Sequence, residues 1–270
     1  MRLFTEANMK KLALKLAALT AAFAIGAFAL AACAPKADFV VGFDAEYPPY
    51  GYMADDGSYT GFDLELAEKV AEINGWAFRA EPIDWDSKDG LLNSGQITCI
   101  WNGFTYEGRE DLYAWSDPYM LNSQVIVVKA GSTITNNAGL AGKNVLTQAG
   151  SAAEELLSEG GDEAELGATF TLRNVADYNN AFNQLNSAQV DAVACDYSIF
   201  AYQNSANPGR YVILSTLSSE HYAVGFKLGN EAMAEQVNAA LKQLDEDGWI
   251  EALCEKYASQ GISYTNWCLE

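Results

Sequence analysis

The stretch Asp38-Phe-Val-Val-Gly-Phe43, together with the helical pattern that follows it, indicates the fold. Residues 38–43 form a short, largely apolar run, which is typical of a buried strand. From Leu64 to Ile73 apolar residues recur at helical spacing, with Asp63 as a possible N-cap and Gly75 as a stop. A strand followed closely by an amphipathic helix is the repeating unit of an α/β fold.

The same alternation continues along the rest of the chain. A second strand follows the first helix, the pattern repeats in the second half, and a long amphipathic helix begins near Asn230. Strands and helices in alternation predict an α/β fold with helices on both sheet faces. The predicted strands cover residues 76–83, 96–101, 143–147, 168–173 and 190–194, and the predicted helices cover residues 151–157 and 177–185.

Two extended apolar runs, Tyr119–Lys129 and Tyr222–Lys227, interrupt this alternation, and no short connection joins them. If both runs cross between lobes, the chain leaves a first lobe, builds a second and returns. The alternative is that either run is an ordinary core strand. Two crossings predict one lobe from residues 38–122 with 223–270 and a second lobe from residues 123–222.

The N-terminal residues differ from the rest of the chain. Three lysines precede an uncharged run rich in Ala, Leu and Phe, which is the pattern of a secretory signal. The run ends in Leu30-Ala-Ala-Cys33, which resembles the bacterial lipobox. We therefore expect residues 1–32 to be a lipoprotein-type signal peptide, Cys33 to be acylated and residues 33–37 to be an anchor linker. The alternatives are a retained membrane helix and a soluble secreted protein cut at an Ala-rich site.

Charge narrows the range of partners. The 270-residue chain carries 16 basic and 36 acidic residues. Four of the basic residues and one acidic residue precede Cys33, which leaves 12 basic and 35 acidic residues and a net charge of −23. Such a surface repels nucleic acid and anionic membranes, so we expect no nucleic acid partner. The membrane contact that we expect is the N-terminal lipid, at the outer face of the cytoplasmic membrane.

The cysteines and the single histidine give no sign of a metal site. Besides the lipobox cysteine, the thiols are Cys99, Cys195, Cys254 and Cys268, and no CxxC or His/Cys cluster occurs. Cys254 and Cys268 are close in sequence, and an oxidising compartment makes a disulfide between them a reasonable expectation. We expect neither a metal nor another cofactor.

Five short motifs follow one another along the chain: Gly42-Phe-Asp-Ala-Glu-Tyr-Pro-Pro-Tyr50, Gly61-Phe-Asp-Leu-Glu-Leu-Ala67, Ser116-Asp-Pro-Tyr119, Gln148-Ala-Gly-Ser151 and Asp191-Ala-Val-Ala-Cys-Asp196. Their order and spacing resemble the polar amino-acid family of extracellular solute-binding proteins served by ABC importers (bacterial solute-binding protein family 3). The resemblance extends from about Phe39 to about Tyr257. It implies the periplasmic-binding-protein fold, in which two α/β lobes joined by two hinge strands close around a ligand.

The resemblance also implies that Arg109 binds the α-carboxylate of an amino acid. A guanidinium group matches a carboxylate with two parallel hydrogen bonds, which a lysine does not. The alternative is a surface arginine paired with Glu107 or Asp111. Asp196, which follows a predicted strand, is implied to pair with the α-ammonium, and the alternative is a helix cap. An arginine and an aspartate from opposite lobes favour a zwitterion over a sugar or an anion.

Four further residues are implied to contact the ligand. Thr105 fits the hydroxyl position of the family, and Gly103 supplies a backbone contact beside it. Ser151 opens a predicted helix whose N-terminus favours negative charge, although Ser151 also fits a simple cap. The family often has a threonine at the next position, where this chain has Ala152, so only the Ala152 N–H remains for the ligand.

The ligand's side chain is implied to contact Asp44, Tyr47 and Trp85. The two aromatic residues resemble positions that sandwich the ligand, although core packing is an equally ordinary role for them. Asp44 favours a distal positive or donor group, or else binds backbone amides. Asn102 and Gln148 are polar candidates beside these three. The predicted ligand is therefore a polar or cationic amino acid.

Transport is the function that these features favour: a monomer that captures a free amino acid and delivers it to an ABC importer permease. The alternatives are a cleft enzyme of the same fold, similar to a dehydratase, and a ligand-sensing module. General acid–base catalysis usually needs a histidine or paired carboxylates in the cleft, and His221 is the one histidine in the sequence. We expect His221 to be structural or exposed, we expect no enzymatic activity, and we expect no signalling domain after Glu270.

Overall fold

A computed structural model describes residues 39–269. The predicted signal peptide (1–32), the lipidated Cys33 and the anchor linker (33–37) lie outside the described residues. Within residues 39–269, every helix is too short or too polar to cross a bilayer.

Thirteen strands and eight α-helices form in the described part of the chain. In chain order they are β1 (Phe39–Phe43), β2 (Glu46–Tyr47), β3 (Gly51–Met53), β4 (Tyr59–Thr60), α1 (Phe62–Asn74), β5 (Phe78–Pro82), α2 (Lys88–Ser94), β6 (Cys99–Ile100), β7 (Ala114–Trp115), β8 (Met120–Lys129), β9 (Asn144–Gln148), α3 (Ala152–Leu157), α4 (Ala164–Gly167), β10 (Thr171–Val175), α5 (Tyr178–Asn186), β11 (Ala192–Asp196), α6 (Tyr197–Ala206), β12 (Tyr211–Tyr222), β13 (Gly225–Phe226), α7 (Glu231–Glu246) and α8 (Trp249–Tyr257).

These strands form two five-stranded sheets and one small sheet. The first sheet has the order β5-β1-β6-β13-β7, the second has the order β10-β9-β11-β8-β12, and β2, β3 and β4 form the third. Strands β1, β5 and β6 are parallel, and β13 runs antiparallel to β6 and β7. The chain therefore crosses from the first sheet to the second before β8 and returns after β12. This topology confirms the predicted two-lobed α/β fold.

The two long strands β8 and β12 join the lobes. They pair antiparallel from Met120 opposite Tyr222 to Lys129 opposite Tyr211. The first predicted crossing, Tyr119–Lys129, coincides with β8. The second prediction is wrong in its bounds, because Tyr222–Lys227 holds only the end of β12 and the separate strand β13. The long strand β12 was not predicted.

Helix α1 follows the predicted apolar stripe, but it begins differently. Leu64, Ala67 and Val70 are buried, and Gly75 ends the helix in a left-handed conformation, as predicted. Gly61, and not Asp63, is the N-cap. A Cβ on Gly61 would lie 2.2 Å from the Tyr50 carbonyl oxygen, so only glycine fits this turn. Asp63 is instead buried within the first turn of the helix.

Caps fix the start of two other predicted helices. Ser151 Oγ accepts a hydrogen bond of 3.2 Å from Glu154 N–H at the start of α3, and Asp177 Oδ1 accepts one of 2.7 Å from Asn180 N–H at the start of α5. The predicted helix bounds are confirmed within one residue. Asn230 precedes α7 as expected, but its side chain makes no capping hydrogen bond.

The expected Cys254–Cys268 disulfide is absent, and both residues are free thiols. Cys254 lies on the buried face of α8, near Asp245 and Glu251. Cys268 is half-buried elsewhere, where its N–H donates a 3.0 Å hydrogen bond to the Tyr119 carbonyl oxygen. Proximity in sequence failed as a guide because the last residues leave α8 and pack beside the start of β8.

Candidate ligand-binding site

A small cavity lies between residues of the two lobes and has about 240 Å³ of empty space. Only about 10 Å³ of this space is open to the centre of a water-sized sphere, so the surrounding side chains nearly fill the cavity in this conformation. Asp44 and Asn102 lie beside it, since Asp44 Oδ2 accepts a 2.5 Å hydrogen bond from Gln148 and Asp44 N–H donates one of 2.8 Å to Asn102. The other nine predicted site residues line it: Tyr47, Trp85, Gly103, Thr105, Arg109, Gln148, Ser151, Ala152 and Asp196.

Arg109 contacts both lobes from within this cavity. Its side chain is only 3% exposed, and its guanidinium carbon lies 5.1 Å from the centre of the Phe104 ring. Nη1 donates a 3.3 Å hydrogen bond to the Thr105 carbonyl oxygen, in the loop that carries the arginine. Nη2 donates one of 3.4 Å to the carbonyl oxygen of Gly150, which belongs to the second lobe.

A carboxylate from the second lobe faces this guanidinium. Glu155 Oε1 accepts hydrogen bonds from Arg109 Nε at 3.2 Å and from Nη2 at 2.9 Å. Glu155 lies in α3, and its side chain is 51% exposed. The alternative, in which Arg109 pairs with Glu107 or Asp111, is therefore wrong. Glu107 pairs instead with His221 Nδ1 at 2.6 Å. Glu155 thus occupies the Nε and Nη2 edge of the guanidinium group, so a carboxylate that binds Arg109 with two hydrogen bonds must displace it.

Lys88 is a second buried cation, which sequence reasoning missed. Its Nζ donates a 3.2 Å hydrogen bond to the Gly150 carbonyl oxygen and lies 5.2 Å from the centre of the Trp85 ring. Burial lowers the pKa of Lys88, and the nearby charge of Arg109 lowers it further. The sequence offers no signal for it, because a lysine at a helix start usually faces solvent.

Two of the groups that were predicted to contact the ligand already make hydrogen bonds within the protein. Ser151 acts as the cap of α3, and its hydroxyl group also lies 3.0 Å from Thr147 Oγ1. Gly103 N–H donates a 2.6 Å hydrogen bond to Asp63 Oδ2, so a ligand contact falls to the Gly103 carbonyl oxygen. Ala152 begins α3, where the first N–H groups lack partners within the helix.

Asp196 ends β11 and is almost fully buried. Its Oδ1 accepts hydrogen bonds from Asn122 Nδ2 at 2.9 Å, Gln124 Nε2 at 2.7 Å and the Tyr222 hydroxyl group at 2.9 Å. Asp196 is at the N-cap position of α6, as the helix-cap alternative predicted, but its side chain makes no capping hydrogen bond. Burial raises the pKa of Asp196, because water no longer stabilises the charged form.

Glu220, on β12, lies next to Asp196 and was not predicted as a site residue. Its Oε1 accepts hydrogen bonds from Asn122 at 2.7 Å, Gln124 at 2.8 Å and the Thr105 hydroxyl group at 3.0 Å. Burial, followed by the nearby charge of Asp196, raises the pKa of Glu220 to about 8. A glutamate inside a strand-like segment is the one sequence signal that could have found it, since an ionisable residue there is rarely buried without a role.

The residues expected to contact the ligand's side chain differ in exposure. Tyr47 is buried, and its hydroxyl oxygen lies 3.5 Å from that of Tyr222. Trp85 is half-exposed, and its ring packs edge-on against Phe104 with the centroids 5.5 Å apart. Asp44 is buried, and burial raises its pKa to about 6. Asp44 does not line the cavity, and its Oδ1 accepts a 2.8 Å hydrogen bond from Glu46 N–H, which agrees with the alternative role of binding a backbone amide.

The cleft thus has a cationic side at Arg109 and an acidic side at Asp196, both lining one cavity. No group of three or more His, Cys, Asp or Glu residues within 39–269 is arranged to hold a metal ion. His221 is partly exposed and does not line this cavity. The charges suit a small molecule that carries an anion and a cation close together.

Comparison with known proteins agrees with this geometry. Residues 39–260 match the family model of bacterial extracellular solute-binding proteins, family 3. The L-cystine-binding protein TcyJ of Escherichia coli strain K12 is 27% identical over 232 residues, which cover 84% of this chain and 85% of that protein. The probable histidine-binding protein of Neisseria gonorrhoeae is 27% identical over 273 residues, covering 93% of this chain and 96% of that protein.

A solved structure shows the same fold. The substrate-binding protein of an ABC uptake transporter from Streptococcus pneumoniae, with bound histidine, is 30% identical and superposes with a TM-score of 0.78. The match covers 84% of this chain and 94% of that one. From the family match, this fold and the charged cavity between its lobes, we conclude that the chain belongs to the bacterial extracellular solute-binding proteins of family 3.

Proposed function

We propose that the protein binds one free amino acid as a zwitterion and delivers it to an ABC importer. The observation that carries this proposal is that Arg109 and Asp196 line the same cavity between the lobes. Arg109 binds the α-carboxylate from one side, and Asp196 binds the α-ammonium from the other. Contacts of one ligand to both lobes favour the closed arrangement, because a ligand stabilises the conformation that it contacts best.

We propose a polar or cationic side chain for this amino acid. Asp44 offers a carboxyl group beside the cavity, and Trp85 offers a half-exposed ring on which aliphatic or cationic groups can stack. Relatives are named for binding cystine and histidine, both of which are polar.

The export and anchoring of the protein are part of the same proposal. A signal peptide over residues 1–32 and acylation of Cys33 place the binding lobes outside the cytoplasm, where an importer collects its solute. We propose binding without catalysis, since the relatives compared above are named as binding proteins.

A thermal-shift screen of the twenty amino acids, ornithine and cystine tests the proposed ligand class. A ligand present at about 100 times its dissociation constant stabilises the folded protein by about 2.7 kcal/mol, which raises the melting temperature measurably. We expect a polar or cationic amino acid to give the largest shift. No shift with any amino acid, together with a shift from a neutral sugar, would overturn the proposal.

A further inference from the structure

Two buried carboxyl groups share the same pair of hydrogen-bond donors. Asp196 is 4% exposed and Glu220 is 2% exposed. Asn122 Nδ2 donates to Asp196 Oδ1 at 2.9 Å and to Glu220 Oε1 at 2.7 Å, and Gln124 Nε2 donates to the same two oxygens at 2.7 and 2.8 Å. Because one nitrogen reaches both oxygens in each case, the two carboxyl groups lie close together.

The described residues supply this pair with neutral donors only. The Tyr222 hydroxyl group donates to Asp196, and the Thr105 hydroxyl group donates to Glu220. No lysine or arginine among residues 39–269 lies within 4.0 Å of either carboxyl group. Two adjacent buried carboxylates repel each other and are poorly stabilised without a cation. A positive group that contacts both carboxyl groups therefore gains much of its binding energy there.

The pair is reached from the cleft. Asp196 lines the small cavity, and Glu220 lines a wider groove next to it. Thr105 and Ala152 line both spaces, so the groove and the cavity adjoin at these two residues. The Thr105 hydroxyl group, which lines the cavity, is only 3.0 Å from Glu220 Oε1. Glu220 is thus about one hydrogen-bond length behind the cavity wall.

We propose that Glu220 is a further ligand-binding residue, which shares the α-ammonium of the bound amino acid with Asp196. The proposal rests on the function proposed above and makes it more specific. An ammonium group carries three N–H donors and no acceptor, so it can donate to both carboxylates at once. The site then selects for a cationic primary amine more strongly than a single aspartate does, and an analogue without the amine leaves two buried acids without a partner.

Calorimetric titration of the wild type and of Glu220→Gln tests this role. The ligands are the strongest stabiliser from the amino-acid screen and the same acid with hydrogen in place of its α-amino group. Loss of a charged hydrogen bond weakens binding by roughly 10–100-fold, and we expect this for the amino acid. We expect no change for the analogue. Glu159→Gln, which removes one exposed charge from the same groove, is the matched control and should bind like the wild type.

A double-mutant cycle separates a shared ligand from two independent contacts. Asp196→Asn combined with Glu220→Gln should lose less affinity than the product of the two single losses, because both side chains act on one ammonium group. If Glu220→Gln does not fold, Glu220→Asp keeps the charge but shortens the side chain, and it should also weaken the amino acid selectively.

The outcomes distinguish this inference from the proposed function. If the wild type binds the amino acid and Glu220→Gln binds it with the same affinity, the role of Glu220 is refuted. The proposed function then still holds. Equal weakening of the amino acid and of its deamino analogue also refutes it, because Glu220 then acts on the shape of the cleft. Failure of the wild type to bind any amino acid overturns the proposed function, and this inference with it.

Discussion

At Arg109, two guanidinium nitrogens meet one carboxylate oxygen of Glu155. A lysine keeps the charge but has no planar pair of donors for a carboxylate. We predict that Arg109→Lys weakens amino-acid binding by about 10–100-fold, which is the usual effect of losing a charged hydrogen bond. Calorimetric titration measures it, and Arg173→Lys, at an exposed arginine, is the control. An unchanged affinity of the Arg109 variant would remove this residue from the site.

Glu155 gives a second prediction at the residue scale. Its carboxylate occupies the face of Arg109 that a ligand carboxylate is proposed to use, so the two compete. We predict that Glu155→Gln tightens amino-acid binding several-fold, because a neutral amide pairs more weakly with a guanidinium group. Calorimetric titration measures the affinities of Glu155→Gln and of the control Glu159→Gln. The control removes a similar charge from a residue that does not pair with Arg109. Weaker binding by Glu155→Gln would mean that Glu155 supports the ligand rather than competing with it.

The sequence motifs predicted those site residues that lie in a motif or just before one. Tyr47, Arg109 and Asp196 lie in recognisable motifs or just before one, and they line one cavity. Glu155 and Glu220 could not be predicted in the same way. Glu155 meets an arginine 46 residues earlier, and Glu220 meets a threonine 115 residues earlier, so their roles depend on how the lobes are arranged.

At the scale of elements, Asp63 connects three parts of the first lobe and the hinge. From the first turn of α1 it accepts hydrogen bonds from Gly103 N–H at 2.6 Å and from the Tyr119 hydroxyl group at 2.8 and 2.9 Å. The sequence indicated only a helix cap. The difference arises because Gly61 takes the cap position, which turns Asp63 inward toward the loop before Arg109 and the start of β8.

Burial raises the pKa of Asp63 from 3.8 to about 7. Its protonated form therefore favours the folded state fully below pH 3.8, and this contribution is lost as the pH rises through 7. We predict that the melting temperature of the wild type, relative to that of Asp63→Asn, falls between pH 4 and pH 8. Thermal melts across this range measure it.

Asp56→Asn is the control for this pH dependence. Asp56 is exposed, and hydrogen bonds from Ser58 lower its pKa, so its small contribution is present above its ordinary pKa and is lost only in acid. The melting temperature of the wild type relative to Asp56→Asn should therefore stay flat from pH 5 to pH 8. A flat difference for Asp63→Asn as well would contradict the role of burial at Asp63.

The strand β12 shows why one element escaped prediction. Residues 211–222 contain serine, threonine, glutamate and histidine among the apolar residues, and the strand lies at the edge of its sheet. Its pairing with β8 shifts register between Ile213 and Ser215 and again between Thr216 and Ser218. Each shift breaks the two-residue alternation from which a strand is read in a sequence. Strand β8, which has a neighbour on both sides, is a clear apolar run and was predicted.

At the scale of the whole molecule, polar contacts cross the cleft on several sides. Gln148 reaches Asp44 at 2.5 Å, and Asn179 Nδ2 reaches Glu46 Oε2 at 2.8 Å. Arg109 also donates across the cleft, to Glu155 at 2.9 Å and to the Gly150 carbonyl oxygen at 3.4 Å. A ligand that contacts both lobes adds to or replaces these bonds, and so can shift the balance between open and closed arrangements.

The proposed export and lipid anchoring give a prediction for the molecule in its cell. We predict that Cys33→Ser releases the protein from the membrane, because a hydroxyl group cannot take the place of the acylated thiol. Detergent phase partitioning followed by immunoblotting measures this release. Cys268→Ser, at a thiol that is not in the lipobox, should stay with the detergent phase like the wild type. Retention of Cys33→Ser in that phase would count against lipid attachment at this residue.

The position of Cys268 has a practical consequence. It is the one thiol among residues 39–269 that is not fully buried, and its N–H is bonded to the carbonyl oxygen of Tyr119, just before β8. An environment-sensitive dye coupled to Cys268 in the Cys33→Ser background would sit at the pivot between the lobes. If ligand binding bends the chain at the start of β8, the emission changes, and Cys268 then serves as the attachment point of a fluorescent sensor without an engineered cysteine.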